Sequence, residues 1–211
     1  MPRYDIDFAL LRKQLHDETI RHHLDDESSD ALLRAMTATP YQDGQIIFPP
    51  NDTNAALYLV ARGVVRIFTY CGGKDTTTAF ALPATVIARH NTLGLCQSPT
   101  GCAACGNDTV ILSVPYSRFE TTLNHYDQMG LWWIEILENQ IYMLEKYHVW
   151  RSADATTRFL ALMGGEWGVG FQSTILQAVP LSVIASYLGV TQSYLSILRS
   201  RWVKGELRDR K

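Results

Sequence analysis

Leu181-Ser182-Val183-Ile184-Ala185-Ser186-Tyr187-Leu188-Gly189-Val190-Thr191-Gln192-Ser193-Tyr194-Leu195-Ser196-Ile197-Leu198 is the most informative stretch of the 211-residue chain. Ile184, Ala185 and Leu188 put apolar groups on one face of a short helix. Gly189 permits the positive-φ turn that ends it, and Thr191 suits the cap of a second helix. Leu195 and Leu198, three apart, pack back onto the first helix, and Ala185 is small where the two cross. The pattern predicts a helix-turn-helix.

Downstream, Arg199, Arg201, Lys204, Arg208, Arg210 and Lys211 face only Glu206 and Asp209 in charge. The whole chain carries 19 Lys plus Arg against 21 Asp plus Glu, a net charge of -2. A global basic field is therefore excluded, and any contact with double-stranded DNA must come from this local patch. Thr191, Gln192, Ser193, Tyr194, Ile197, Arg199, Arg201 and Lys204 are the candidate DNA-binding residues.

Upstream, Gln128 to Trp150 holds Met129, Trp132, Trp133, Ile136, Leu137, Ile141, Leu144 and Trp150 at helical spacing, with no proline. Such a helix is ~35 Å long. Leu137, Ile141, Leu144 and His148 fit a seam against a second copy of the chain. Ala155 to Met163 predicts another helix.

Before the long helix the texture is different. Gly44 to Phe48, Ala56 to Phe68, Thr76 to Leu82, Ala84 to Ile87, Cys102 to Cys105 and Val110 to Val114 are short β-branched or aromatic runs punctuated by Gly, Pro and Asn-Asp. That spacing predicts a small antiparallel barrel or jelly roll from about Thr39 to Val114. Residues 4–37 predict two helices, Phe8, Leu11 and Leu15 on one face of the first and Leu24, Leu32, Leu33 and Met36 later, with the run from Asp25 to Asp30 as a solvated turn between them whose serines and acids suit a helix N-terminus. The expected class is α+β. Its parts are residues 1–124 (N-terminal helices and a sensor-like barrel), 125–151 (a long dimerisation helix) and 152–211 (a helix-turn-helix domain).

With 46% hydrophobic and 19% charged residues the composition is globular. No window reaches the ~20 apolar residues of a membrane span, and Met1-Pro2-Arg3-Tyr4-Asp5 lacks the apolar core of a signal peptide, so a cytoplasmic protein is expected.

The order of β-rich module, long helix and terminal helix-turn-helix resembles the Crp/Fnr superfamily of bacterial transcription regulators. Gly44 to Phe48 followed by Leu57-Tyr58-Leu59-Val60-Ala61-Arg62-Gly63-Val64-Val65-Arg66-Ile67 looks like the first strands of that family's cyclic-nucleotide-binding-like barrel, and Ala155-Thr156-Thr157-Arg158-Phe159-Leu160-Ala161-Leu162-Met163 resembles the helix opening its DNA-binding domain. The resemblance covers nearly the whole chain. It implies a homodimer joined along the long helix and bound to a two-fold-symmetric DNA site.

The departures from the family are informative. Its nucleotide-binding members carry a Gly-Glu and an Arg-Ser or Arg-Thr for ribose and phosphate. Here Val86 to Leu95 offers no carboxylate, and Pro99 stands about where the phosphate arginine would be, so no response to cyclic nucleotide is expected. Where members place base-reading Arg and Glu, this chain has Gln192, Ser193 and Ile197. Gln pairs with adenine, Ser reaches either base, and Ile197 offers apolar contact to a thymine methyl. About a dozen residues follow the recognition helix, too few for the family's hairpin wing, and the basic tail is the expected substitute.

Cys96, Cys102 and Cys105, with Cys71, have three readings. They are small buried packing residues, redox thiols on a partly exposed loop, or ligands of zinc or an iron–sulfur cluster. No cofactor is required by the sequence, and the metal is unknown. If Cys102 and Cys105 share a strand, their odd spacing puts them on opposite faces. Of the remaining histidines, His22-His23 reads as a surface pair, and His90, near the former nucleotide pocket, reads as a loop histidine, with a haem or metal ligand as the alternative. No nucleophile elbow, H-E-x-x-H or phosphate loop is present, so an enzyme is not expected. The alternative to a regulator is a dimeric scaffold without operator binding.

Overall fold

The computed structural model describes residues 6–15, 24–88, 98–164 and 169–207. Two helices, α1 (Phe8–Leu15) and α2 (Asp26–Ala35), precede strands β1 (Thr37–Tyr41), β2 (Ile46–Phe48), β3 (Ala56–Cys71), β4 (Lys74–Ala81), β5 (Val86–Ala88) and β6 (Thr100–Pro115). Helices α3 (Tyr116–His125), α4 (Asp127–Ser152), α5 (Ala155–Gly164), α6 (Val169–Ala178), α7 (Leu181–Leu188) and α8 (Gln192–Val203) complete the chain.

The acidic run from Asp25 to Asp30 meets the expectation of a helix N-terminus but not that of a solvated turn. Only Asp25 lies outside α2, where its carboxylate caps the helix by accepting from the Ser28 amide at 2.7 Å. Ser28 and Ser29 are buried inside the helix rather than solvated in a turn. Asp26 and Glu27 occupy the first turn, where the helix dipole favours negative charge. Phe8 is exposed, whereas Leu11 is buried.

The sheet is antiparallel, in the order β1-β6-β3-β4, with β2 on β6 and β5 on β3. Its organisers are the two 16-residue strands β3 and β6. Where separate short runs at 102–105 and 110–114 are expected, one bent strand, β6, spans both. Its C-terminal half pairs with Ala56 to Arg62 and its N-terminal half with Val64 to Thr69. The bend falls where the register shifts, at Gly63 (φ +84°), beside Thr109 and near Gly106 (φ +87°). A Cβ at Gly63 would stand 2.6 Å from Thr109 Oγ1 and 2.8 Å from its Cα, so glycine is required for the bend twice over.

Alternation along these strands sorts side chains between layers. Phe48, Tyr58, Val60, Val65, Ala81, Ile87, Cys102 and Ile111 fill the inside of the barrel. Leu57, Leu59, Leu112 and Val114 face outward and pack with Leu11, Leu32, Phe119, Met129 and Trp132 from the helices. A third cluster joins Val64, Phe80 and Cys105 on the outer barrel surface to Trp150, Phe159, Ile184, Tyr187, Leu188, Leu195 and Leu198. Through this last cluster the C-terminal helices sit against β4. Among the described residues no single helix is long and apolar enough to cross a membrane.

Candidate nucleic-acid interface

Helices α7 and α8 are bent by 92° about Gly189 to Thr191, within the range of a helix-turn-helix. Gly189 has φ +66°, and its amide closes the end of α7 on Ala185 and Ser186 carbonyls. Thr191 caps α8 by accepting from the Tyr194 amide at 3.2 Å. Ile184, Ala185, Leu188, Leu195 and Leu198 are all buried at the crossing. Two cations hold the pair from behind. Arg158 Nε donates to the Leu188 carbonyl at 2.9 Å, and Arg151 Nη1 donates to the Tyr187 carbonyl at 3.3 Å, so both positive groups meet the negative end of the α7 dipole. Burial and the neighbouring Arg151 lower the pKa of Arg158. The Arg151 guanidinium lies where a Cβ on residue 189 would be.

With Leu195 and Leu198 at 1% and 0% exposure, the opposite face of α8 is open. At about 100° per residue that face carries Ser193, Ser196, Ile197, Ser200 and Lys204. Ile197 is 53% exposed although apolar. Gln192 and Arg199 fall on one flank of this ridge, Tyr194 and Arg201 on the other. Arg201 Nε approaches Glu206 Oε2 at 3.7 Å.

The eight expected residues therefore divide. Gln192, Ser193, Ile197, Arg199, Arg201 and Lys204 occupy the exposed surface of α8 and its C-terminal cap. Thr191 and Tyr194 are exposed as well, and they also line a cavity of about 630 Å³ toward the barrel, together with Lys74, Thr76, Arg151 and Gly189. Ser196 and Ser200 were not among the expected residues, although their spacing from Leu195 and Leu198 marks the same face. Lys74 and Thr76 gave no local signal, because the fold brings them to α8 from a distant strand. Arg208, Arg210 and Lys211 lie outside the described residues.

The contact between α7 and the barrel is built from aromatic rings. Tyr187 stacks on Trp150 at 4.9 Å and meets Phe80 edge-on at 5.1 Å, with Tyr147 at 6.0 Å. Burial holds the Tyr187 phenol well above its ordinary pKa, and that of Tyr147 also upward. Arg66 clasps Asp75 through two hydrogen bonds of 2.6 Å beside this contact.

Cys102 and Cys105 are not in disulfides, and both are buried within β6 rather than on an exposed loop. Their odd spacing turns Cys102 into the barrel and Cys105 outward toward the C-terminal helices. Three residues of strand separate their Cα atoms by about 10 Å, beyond the ~7 Å limit for a disulfide, so a bridge between these two is excluded in this fold. Cys105 lines a cavity of about 360 Å³ with Arg66, Asp75, Val183 and Ser186, and burial pushes its thiol up to about 11, against the opposing pull of Arg66. The Cys71 backbone ends β3, opposite Lys74, while Cys96 and His90 lie outside the described residues. Among the described residues no group of three or more His, Cys, Asp or Glu is placed to hold a metal. Pro99 is exposed, and its carbonyl accepts from Thr69 Oγ1 at 2.9 Å.

No family model matches the chain. The Cyclic AMP receptor protein of Thermus thermophilus is 37% identical over 73 residues, 34% of this chain and 34% of that protein, so the match spans about a third of the curated relative's length. Among solved structures, the Catabolite Activator Protein of Thermus thermophilus has 21% identity over 94% of this chain and 91% of its own, at a TM-score of 0.54. FixK2 of Bradyrhizobium japonicum has 18% identity over 83% and 89%, at 0.64. CLP of Xanthomonas campestris, a c-di-GMP responsive global regulator, has 13% identity over 89% and 96%, at 0.68. The antiparallel jelly roll followed by a terminal helix-turn-helix is the fold of these solved structures, and this chain shares it.

Proposed function

We propose that the chain is a homodimeric, DNA-binding transcription regulator that is not controlled by a cyclic nucleotide. The observation that carries this reading is the open face of α8, presented opposite Leu195 and Leu198 on a helix pair bent by 92°. In the proposed division, residues 1–124 form a sensor-like unit, 125–151 the dimerisation helix and 152–211 the DNA-binding domain.

Dimerisation is supported by α4. Ile134, Ile141 and Leu144 are 54%, 58% and 62% exposed, and with Leu137 and His148 they recur at alternating spacings of three and four. Such a seam is apolar surface for a second copy to cover. The barrel interior supports independence from cyclic nucleotides, because apolar side chains fill it around Phe48, Tyr58 and Cys102. A response to oxidant or metal is proposed through the thiols Cys96, Cys102 and Cys105, with Cys71 as resolving partner.

Sedimentation of the purified protein should give a dimer, and Leu144→Glu should yield monomer. The dimer should be retained on immobilised duplex DNA and released as salt rises, reflecting displaced counterions. A dimer that ignores DNA at low salt would favour the scaffold reading. Peroxide-treated and reduced protein should differ in DNA affinity, and titration with cyclic AMP or cyclic GMP should give no heat.

A further inference from the structure

We propose that α8 selects a half-site built on A·T pairs, with Ser196 and Ile197 as the determinants and Arg199 and Arg201 held to the two phosphate walls. This rests on the DNA-reading role proposed above and names what that role would read.

Ser196 Oγ donates to the Gln192 carbonyl at 3.1 Å, so its only proton is already committed to the helix backbone. Its oxygen then offers lone pairs alone. In the major groove an acceptor distinguishes base pairs by their amino groups, the N6 of adenine or the N4 of cytosine, and is repelled by the carbonyl and N7 acceptors of guanine. Ile197 stands next to it on the same ridge, half exposed and without a polar atom. Its complement in that groove is the thymine methyl, which only an A·T pair carries. An A·T pair shows both features on one edge, the adenine amino group and the thymine methyl.

The position of the guanidiniums points the same way. Reading guanine takes an Arg or Lys aimed bidentately at O6 and N7. Arg199 and Arg201 leave α8 on opposite flanks of the ridge, and Lys204 lies at its C-terminal cap, away from the N-terminal residues that reach base edges in this motif. A helix lying in the groove turns its flanks to the two sugar-phosphate walls. The central ridge, from Ser193 to Ser200, therefore carries no Arg or Lys for bidentate reading of guanine, while Gln192 at its start suits adenine.

The test uses the full-length protein and duplexes selected by it from a random pool. Enriched half-sites should carry an A·T pair at the position most sensitive to Ile197→Ala. Replacing that thymine by deoxyuridine, which removes the methyl alone, should weaken binding by roughly fourfold for the wild-type protein and leave Ile197→Ala unchanged. Ser196→Ala should relax the preference at the adjoining pair while affinity for random DNA stays constant. Both residues are exposed, so neither change threatens folding. Half-sites centred on G·C pairs, or an equal uracil penalty in wild type and Ile197→Ala, would overturn the inference while leaving DNA binding intact. Absence of any DNA retention would instead remove the regulator reading itself.

Discussion

Ser186 Oγ accepts a hydrogen bond of 3.0 Å from the backbone amide of Thr77, joining the first helix of the helix-turn-helix to the last strand of the sheet order. Beside it Tyr187 packs between Trp150 and Phe80. One polar and one aromatic contact thus fix α7 on β4, and they have different energies. An amide left without a partner in a partly buried site costs about 1–3 kcal/mol, and removing a buried aromatic ring costs about 3–5 kcal/mol.

Tyr187→Ala should therefore destabilise the protein by about 3 kcal/mol or more and Ser186→Ala by about 1 kcal/mol. Tyr187→Phe, which keeps the ring, should stay within about 1 kcal/mol of wild type. Urea unfolding followed by tryptophan emission measures all three, since Trp150 lies in the contact.

Gln192→Ala is expected to reduce the ratio of affinities for selected and random DNA, whereas Arg199→Ala and Arg201→Ala should weaken both alike and flatten the salt dependence. Equal losses on the two DNAs for Gln192→Ala would remove it from the reading set.

At the bend of β3, Gly63→Ala should destabilise the fold by at least about 2 kcal/mol. Left-handed φ is unfavourable for an L side chain by about 1–2 kcal/mol, and the added methyl meets the Thr109 backbone, which has no freedom to withdraw. Gly72→Ala, also at positive φ but with open space around it, should show the conformational penalty alone. Thermal unfolding of the two variants separates strain from collision.

Much of this architecture is legible in the sequence because the signals are local. Gly189, Thr191, Leu195 and Leu198 each act within one turn of their neighbours, and all four take the expected places. The long helix α4 likewise follows from apolar spacing without a proline. What spacing does not reveal is pairing between distant residues. That β6 is one strand rather than two depends on β3 running alongside it around the bend at Gly63. The neighbours of Tyr194 include Lys74 and Thr76, placed there by the β3–β4 hairpin. Ser28 and Ser29 read as residues of a solvated turn, yet both are buried within α2. The cysteines were legible in part: strand alternation separates Cys102 from Cys105, but their depth comes from the layers on either side.

Alkaline pH should weaken the fold through Cys105. Its folded pKa, about 11, lies above the ordinary value of 9.0, so the folded state keeps a proton that the unfolded chain loses. The stabilisation is complete below pH 9 and is lost as pH rises toward 11. The raised phenols of Tyr147 and Tyr187 add to the decline above pH 10. Cys105→Ser, which does not titrate, should show a shallower fall between pH 9 and 11 in urea midpoints. Alkylation of native protein at pH 8 should leave Cys105 unmodified while denaturant exposes it.

The placement of α7 also bears on how the chain survives its own synthesis. Strand β4 ends the sheet order, and an uncovered edge of this kind offers free amides and carbonyls to any extended peptide nearby. The element that covers it, Leu181–Leu188, emerges about a hundred residues later. Until then the nascent barrel exposes a sticky margin, with Phe80 beside it. A chain stopped before Leu181 should therefore aggregate more readily than the full chain, in which α7 packs on this strand.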